Sequence, residues 1–271
     1  MPLAPLPDED VPFVLAARRW CTPVVAELTL EPAAEQVDFV AGQYVLAQDG
    51  DRTVPVRSYS VANAPRPDGR LTLLVTAVPD GPTSTWLARE SRIGDRLLVS
   101  GPYGTFVADP GHHGPTLYLA GGSGLAPVRS LLEEAVAQRE TQDRDAAERH
   151  TLLFSGRTLA DVIDETELDE LARSHPWLDY VRTLTRVASG SAAPPLGRVP
   201  EILPGLLPDL GGYAVYIAGS PGFVDACTRT VQRLGVHAGR LHTEEFYAEP
   251  VPWHGAGAAA PTPTIDLEES S

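Results

Sequence analysis

The sequence predicts two units of different class: an antiparallel β-barrel or sandwich, then a doubly wound α/β unit with a parallel sheet. Three observations predict this. From Thr22 to about Ser100, short β-prone runs alternate with Gly, Pro and Asp turns. The segment Asp109-Pro110-Gly111-His112-His113-Gly114-Pro115 then interrupts every periodic pattern. After it, apolar strand runs alternate with helical ones, the rhythm of a parallel sheet with crossover helices. A length of 271 residues suits two domains, and 43% hydrophobic residues suffice for two cores.

Residues 1–12 are Pro-rich and acidic and read as a flexible leader. The first unit, 13–110, has expected strands at Val24–Leu30, Gln43–Gln48, Arg57–Ala62, Leu71–Val78 and Arg96–Ser100. Its one expected helix is Ser84–Arg92, with Ser84 as N-cap. The second unit, 111–247, has expected strands at Thr116–Ala120, Thr151–Ser155, Leu178–Leu184 and Tyr213–Ala218, with a short one near Arg240–His242. Its expected helices are Ala126–Gln138, Ala160–Ser174 and Pro221–Leu234. Residues 248–271 are Ala/Pro-rich, then acidic, and read as a disordered tail.

The formal net charge is −15 and every basic side chain is Arg. That excludes lysine-based chemistry and argues against nucleic acid as a partner. No apolar run reaches the roughly 18 residues needed to span a bilayer, and no secretory leader opens the chain, so a cytoplasmic protein without a membrane partner is expected. Cys21 and Cys227 fall in different units, so no disulfide is expected, and no Cys/His cluster suggests a metal. His112-His113 reads as a solvated linker, and His242 as a structural histidine with its hydrogen bonds satisfied.

Two motifs carry chemistry. Arg57-Ser58-Tyr59-Ser60 lies on an expected strand, where alternation puts Arg57 and Tyr59 on one face and Ser60 on the other. An arginine fork neutralises a pyrophosphate; a Tyr ring lies against a flavin or bonds its ribityl chain; a Ser hydroxyl donates to a flavin ring nitrogen. Alone, the same strand also suits a surface without a ligand. Gly81-Pro82-Thr83-Ser84 precedes a helix and offers N–H groups and hydroxyls to the other side of a diphosphate. About sixty residues after the first motif, a buried-strand run meets Gly121-Gly122-Ser123-Gly124-Leu125-Ala126-Pro127. Glycines at such a turn let the backbone approach a pyrophosphate, the helix N-terminus supplies unpaired N–H groups, and Pro127 fits the first turn. The spacing is not that of the usual dehydrogenase fingerprint.

Taken with Ala41-Gly42-Gln43-Tyr44, Gly94-Asp95, Gly101-Pro102-Tyr103-Gly104-Thr105-Phe106, Ala218-Gly219-Ser220-Pro221 and Glu244-Glu245-Phe246, these motifs resemble the ferredoxin–NADP reductase superfamily over about residues 15–247. The resemblance points to the reductase part of bacterial flavohaemoproteins and to oxygenase reductase components. It implies a six-stranded antiparallel β-barrel for FAD followed by the α/β NAD(P) domain. It implies that Arg57 meets the FAD diphosphate, Tyr59 the flavin or ribityl chain, and Ser60 the flavin N5 region. It places Gly81, Thr83 and Ser84 at the diphosphate turn, and Gly121, Gly122, Gly124, Pro127 and Gly219 at the nicotinamide dinucleotide. Phe246 becomes the aromatic cover of the flavin face, with Glu244 beside it, so that Ser60, Glu244 and Phe246 are the candidate catalytic residues.

The chain departs from the family at Ala218, where relatives often carry Cys, at Thr76, near which a basic residue often stands, and in the tail with Trp253. A globin or a plant-type ferredoxin is expected to be a separate molecule, since the leader is short and four cysteines are lacking. The implied function is hydride transfer from NAD(P)H to FAD, then single-electron transfer to a separate ferredoxin, globin, cytochrome or oxygenase. The alternatives are a free-flavin reductase and a non-catalytic flavin-binding relay. Arg157, after the second strand of the α/β unit, is the candidate contact at the adenosine ribose, with NADH favoured and NADPH possible.

Overall fold

The computed structural model describes residues 10–141, 148–186 and 197–247. The expected tail, including Trp253, and residues 1–9 of the expected leader lie outside them. Two sheets organise the rest. The first has six antiparallel strands: β1 (Val11–Trp20), β2 (Val25–Pro32), β3 (Tyr44–Asp49), β4 (Arg57–Ser60), β5 (Leu71–Thr76) and β6 (Arg96–Tyr103). Their order is β4-β3-β6-β1-β2-β5. A bridge between Val61 and Leu73 closes the sheet on itself, helped by Ala62 N donating to Thr72 O at 2.7 Å. Closure removes free sheet edges. Alternation fills the interior with Phe13, Leu28, Val45, Leu73 and Val99, all fully buried.

Strand β1 was not anticipated, and it takes in the last two residues assigned to the leader. Pro12 and the pair Arg18-Arg19 hide its alternation, yet Phe13 and Leu15 are core residues. Strand β4 is delivered to its place by Asp49, whose buried carboxylate accepts from Thr53 N, Thr53 Oγ1 and Val54 N at 2.8–2.9 Å. Burial opposes the charge, but those donors hold the carboxyl below its ordinary value. The expected helix at Ser84 instead starts at Pro82 (α1, Pro82–Thr85) and continues as a wider π-type turn, Trp86–Glu90. Pro82 fixes that start. Ser84 is therefore not the cap; its Oγ donates to Gly81 O and accepts from Val78 N.

The second sheet holds five parallel strands: β7 (Thr116–Gly121), β8 (His150–Gly156), β9 (Leu178–Leu184), β10 (Ala214–Gly219) and β11 (Leu241–Glu245), in the order β11-β10-β7-β8-β9. This is the doubly wound arrangement, and its direction reverses between β7 and β10. Crossover helices are α2 (Leu125–Thr141), α3 (Glu165–Ser174), α4 (Val199–Leu206) and α5 (Pro221–Arg233). The expected helix over 160–174 is broken. Leu159–Asp161 form a 3-10 turn closed by a Thr158/Asp161 capping box, and α3 begins only after Asp164, whose φ is +52°. Helix α4 was not anticipated because Pro204 sits inside it, although Pro200 in its first turn and Glu201 at its capping position are start signals.

The sheets share one apolar seam. Val25, Ala41, Ala62, Leu74 and Phe106 of the barrel pack in one cluster with Tyr118, Leu125, Leu131, Phe154 and Tyr216 of the α/β unit. Phe106 meets Tyr216 edge-on at 5.5 Å, and the Tyr216 hydroxyl accepts from Asp109 N at 3.1 Å, which pins the connecting segment.

Candidate functional site

In front of the seam the two units part into a cleft of about 640 Å³. It opens at the C-terminal ends of β7 and β10, the place where a doubly wound sheet takes ligands. Arg57, Tyr59 and Ser60 line one wall, together with Gly81, Thr83 and Ser84. Gly121, Gly122, Arg157 and Phe246 line the other. Glu244 does not line the cleft, but it accepts from Ser60 Oγ at 2.5 Å, a bond that crosses between the two units. Gly124, Pro127 and Gly219 stand just behind the wall. All four β4 residues line the cleft, and Tyr59 also packs against the barrel interior.

The glycines explain the close approach of α2 to the sheet. A Cβ on Gly124 would lie 2.3 Å from Ala218 O, so only glycine lets the helix start there. Gly122 holds φ at +57°, and a Cβ there would meet no atom within 4 Å: its backbone faces open cleft. The 17-residue α2 thereby points its N-terminus and unpaired N–H groups across the space. Phe223, from the first turn of α5, lays its ring over Gly121 and Gly219; it also lines the cleft and was missed from sequence. Phe246 is half-buried, and its N donates to Gly219 O at 2.8 Å, which continues the β10–β11 pairing past the strand end.

The Thr83 hydroxyl is committed to Pro55 O, with the residue 1% exposed, so its offering to the cleft is backbone rather than side chain. Thr76 Oγ1 donates to Ser123 Oγ at 3.0 Å, spanning the two units. Burial raises the Glu244 carboxyl above its ordinary value, against the lowering effect of the Ser60 hydrogen bond. Burial also raises Tyr59. Cys21, Glu27 and Asp164 sit close together, but Arg19 and Arg129 already bond both carboxylates. His112 is tied in through Pro115 O, which corrects its reading as solvated linker; His113 is exposed. His242 does not line the cleft. It stacks on Tyr216 at 4.5 Å, its buried Nε2 has no hydrogen-bond partner among the described residues, and burial lowers its pKa.

The residues present fit a flavin dinucleotide and a nicotinamide dinucleotide together. One wall carries an arginine, a tyrosine ring and a hydroxyl. The other carries a glycine turn with open space above it and a long helix aimed at that space. Comparison with known proteins decides the family. Residues 23–107 match the oxidoreductase FAD-binding domain and residues 118–229 the oxidoreductase NAD-binding domain. Ferredoxin--NADP reductase B of Sorangium cellulosum (strain So ce56) is 34% identical over 242 residues, covering 86% of this chain and 96% of its own.

The chain belongs to the ferredoxin–NADP reductase family.

Among oxygenase components of the family, the ferredoxin--NAD(P)(+) reductase component of the naphthalene 1,2-dioxygenase/salicylate 5-hydroxylase systems of Ralstonia sp. is 34% identical over 216 residues, 79% of this chain. The chain spans 62% of that relative's length. Among solved structures, the ferredoxin reductase in carbazole 1,9a-dioxygenase superposes with a TM-score of 0.78 at 27% identity, over 91% of this chain and 71% of its own. The Amycolatopsis cytochrome P450 reductase GcoB does so with 0.80 at 28%, over 90% and 72%. Among the described residues, no helix is long and apolar enough to cross a membrane.

Proposed function

We propose that this reductase oxidises NAD(P)H at a bound FAD and delivers the electrons to a separate acceptor protein. One observation carries the reading: Arg57–Ser60 and Gly121–Ser123 line the same cleft, and the Ser60–Glu244 bond ties the two units together beside it. FAD supplies the exchange between a two-electron donor and one-electron acceptors. The protein supplies binding, orientation and charge. Arg57 neutralises the FAD diphosphate; the first-turn N–H groups of Thr83 and Ser84, which no helical carbonyl satisfies, take its other side. Tyr59 packs against the flavin or its ribityl chain. Gly121–Gly124 and the α2 N-terminus cradle the nicotinamide dinucleotide, with Gly219 and Pro127 fixing the turn from behind.

Ser60 donates to Glu244 and keeps its own lone pairs for a donor in the cleft, while burial makes the Glu244 carboxyl hold its proton to a higher pH than an ordinary carboxyl. Phe246 covers the reacting face and excludes water until a nicotinamide ring takes its place. We take residues 13–110, extended to Val11 by β1, as the flavin unit and 111–247 as the dinucleotide unit, a division supported by the two sheets. We infer NADH as the donor, since Asp161 lines the cleft beside Arg157 and opposes a 2′-phosphate. The acceptor chemistry inferred is that of an iron–sulfur or haem protein in an oxygenase system, because relatives are named for such systems. A cytoplasmic setting follows from the same reading and from two free thiols.

Anaerobic titration tests the reading. Protein that keeps its yellow colour through gel filtration should bleach with about one equivalent of NADH, while NADPH should act more slowly. FAD-loaded protein that stays oxidised under excess of both donors would end the proposal.

A further inference from the structure

Helix α2 starts at the dinucleotide turn, yet residues 129–133 of its first half are bonded to the barrel. Arg129 Nε donates to Ala62 O at 2.7 Å, and Ser130 Oγ donates to Asn63 O at 2.7 Å. Ala64 N donates to Glu133 Oε2 at 3.1 Å. The three barrel residues contacted are consecutive, and they continue the chain directly from Ser60 and Val61. Ser130 is fully buried and also accepts from Gly42 N at 3.2 Å, so a second barrel segment is tied to the same turn of helix.

Arg129 does more than bond the backbone. Its guanidinium, 13% exposed, also bonds Glu27 on β2 at 2.6 Å and Asp164 ahead of α3. Arg19 on β1 closes the ring by donating to Glu27 and to Asp164 at 2.6–2.7 Å. Two cations and two anions, two from each unit, thus form a ring between the units, with Glu167 and Glu133 farther out. Arg129, Glu27 and Asp164 are largely enclosed and costly to separate, while Arg19 is half-exposed, so the ring resists relative rotation of the units.

We propose that Arg129, with Ser130, is a positioning residue for hydride transfer: it locks the helix that carries the dinucleotide turn to the chain segment that carries the flavin-facing Ser60, and so fixes the gap between the two cofactor sites. The inference rests on the reductase reading above. Neither residue lines the cleft. A small change in donor–acceptor geometry lowers a transfer rate steeply while leaving each binding site intact.

The test is stopped-flow bleaching of FAD-loaded protein by NADH and by NADH deuterated at the transferred position. Wild type must bleach first; if it does not, the reductase reading fails, and this inference with it. Given a bleaching wild type, Arg129→Met should slow the limiting bleaching rate by ~10- to 100-fold. The isotope effect should rise, FAD should stay bound through gel filtration, and the NADH concentration for half-maximal rate should change little. Arg129→Lys, which keeps a cation in the ring, should recover part of the rate. Ser130→Ala should show the same pattern more weakly and decides the matter if Arg129→Met does not fold. A bleaching rate and isotope effect equal to wild type in folded Arg129→Met, or in Ser130→Ala when that is the variant available, overturns the proposal. So does a loss explained wholly by released FAD.

Discussion

Glu27 and Glu244 are both largely enclosed carboxylates at the boundary between barrel and α/β unit, and their pKa values move in opposite directions. For each, burial is the largest influence and disfavours charge. At Glu27 the hydrogen bond from Arg19 and the charge and bond of Arg129 overcome it, so the carboxyl is lowered. At Glu244 only the Ser60 hydroxyl opposes it, so the carboxyl is raised. The first belongs to the seam, where Arg19 and Arg129 bond it and apolar side chains from both units pack in one cluster. The second bonds Ser60 at the edge of the cleft, where the Gly122 backbone faces open space. Stability is concentrated in the seam and reactivity in the cleft, a few residues apart on the same strands.

The comparison breaks first if the seam proves soft. Phe106→Ala removes a ring, 4% exposed, from the shared cluster and should cost about 3–5 kcal/mol in urea unfolding. A loss under about 1 kcal/mol would mean that the two units are not held by that cluster.

Glu27→Gln should cost about 3 kcal/mol at neutral pH, because Arg19 and Arg129 then share Asp164 as their nearest carboxylate, with Glu167 and Glu133 farther off. The sign with pH follows from the lowered carboxyl. Its contribution is present above the ordinary value of 4.5 and is lost as pH falls through the folded value, so variant and wild type should converge in acid. Glu244→Gln should run the other way. A raised carboxyl favours the folded state below 4.5 and loses that contribution as pH rises through the folded value. The variant should therefore gain on wild type above pH 4.5 while flavin reduction slows. Parallel pH profiles for the two variants would erase the contrast.

Within the glycine turn, Gly124→Ala should cost about 1–3 kcal/mol, since its Cβ meets Ala218 O. Gly122→Ala should cost about 1 kcal/mol, from its φ alone. Both should raise the NADH concentration needed for bleaching. The smallest effect serves as a control away from both regions: Asp225→Asn breaks an exposed pair with Arg229 and should change stability by about 0.5 kcal/mol or less.

Much of this was legible in the chain itself. The motifs fall on the turns where their glycines are required, and strands such as Ala214–Gly219 declare themselves because an unbroken apolar run between turn residues suits a parallel strand buried on both faces. Strand β1 and helix α4 were not legible, because a proline and two arginines in one and an internal proline in the other obscure periodicity that only packing restores. Arg129 gave a faint signal, as the lone charge in the apolar first half of α2, but a sequence does not say which backbone it bonds. Nor did spacing reveal Phe223 over the glycines, or that all four residues of β4 reach one cleft.

The sequence by itself determined the two units, their order and the residue types at each turn, because strand and helix periodicity and the steric freedom of glycine are local properties. Only the tertiary structure decided how the units face each other, which carboxylate is charged easily and which is not, and that one helix serves both walls. Those are properties of distance and enclosure, and they exist only once segments more than a hundred residues apart, such as Arg19 and Asp164, are brought within 2.6 Å.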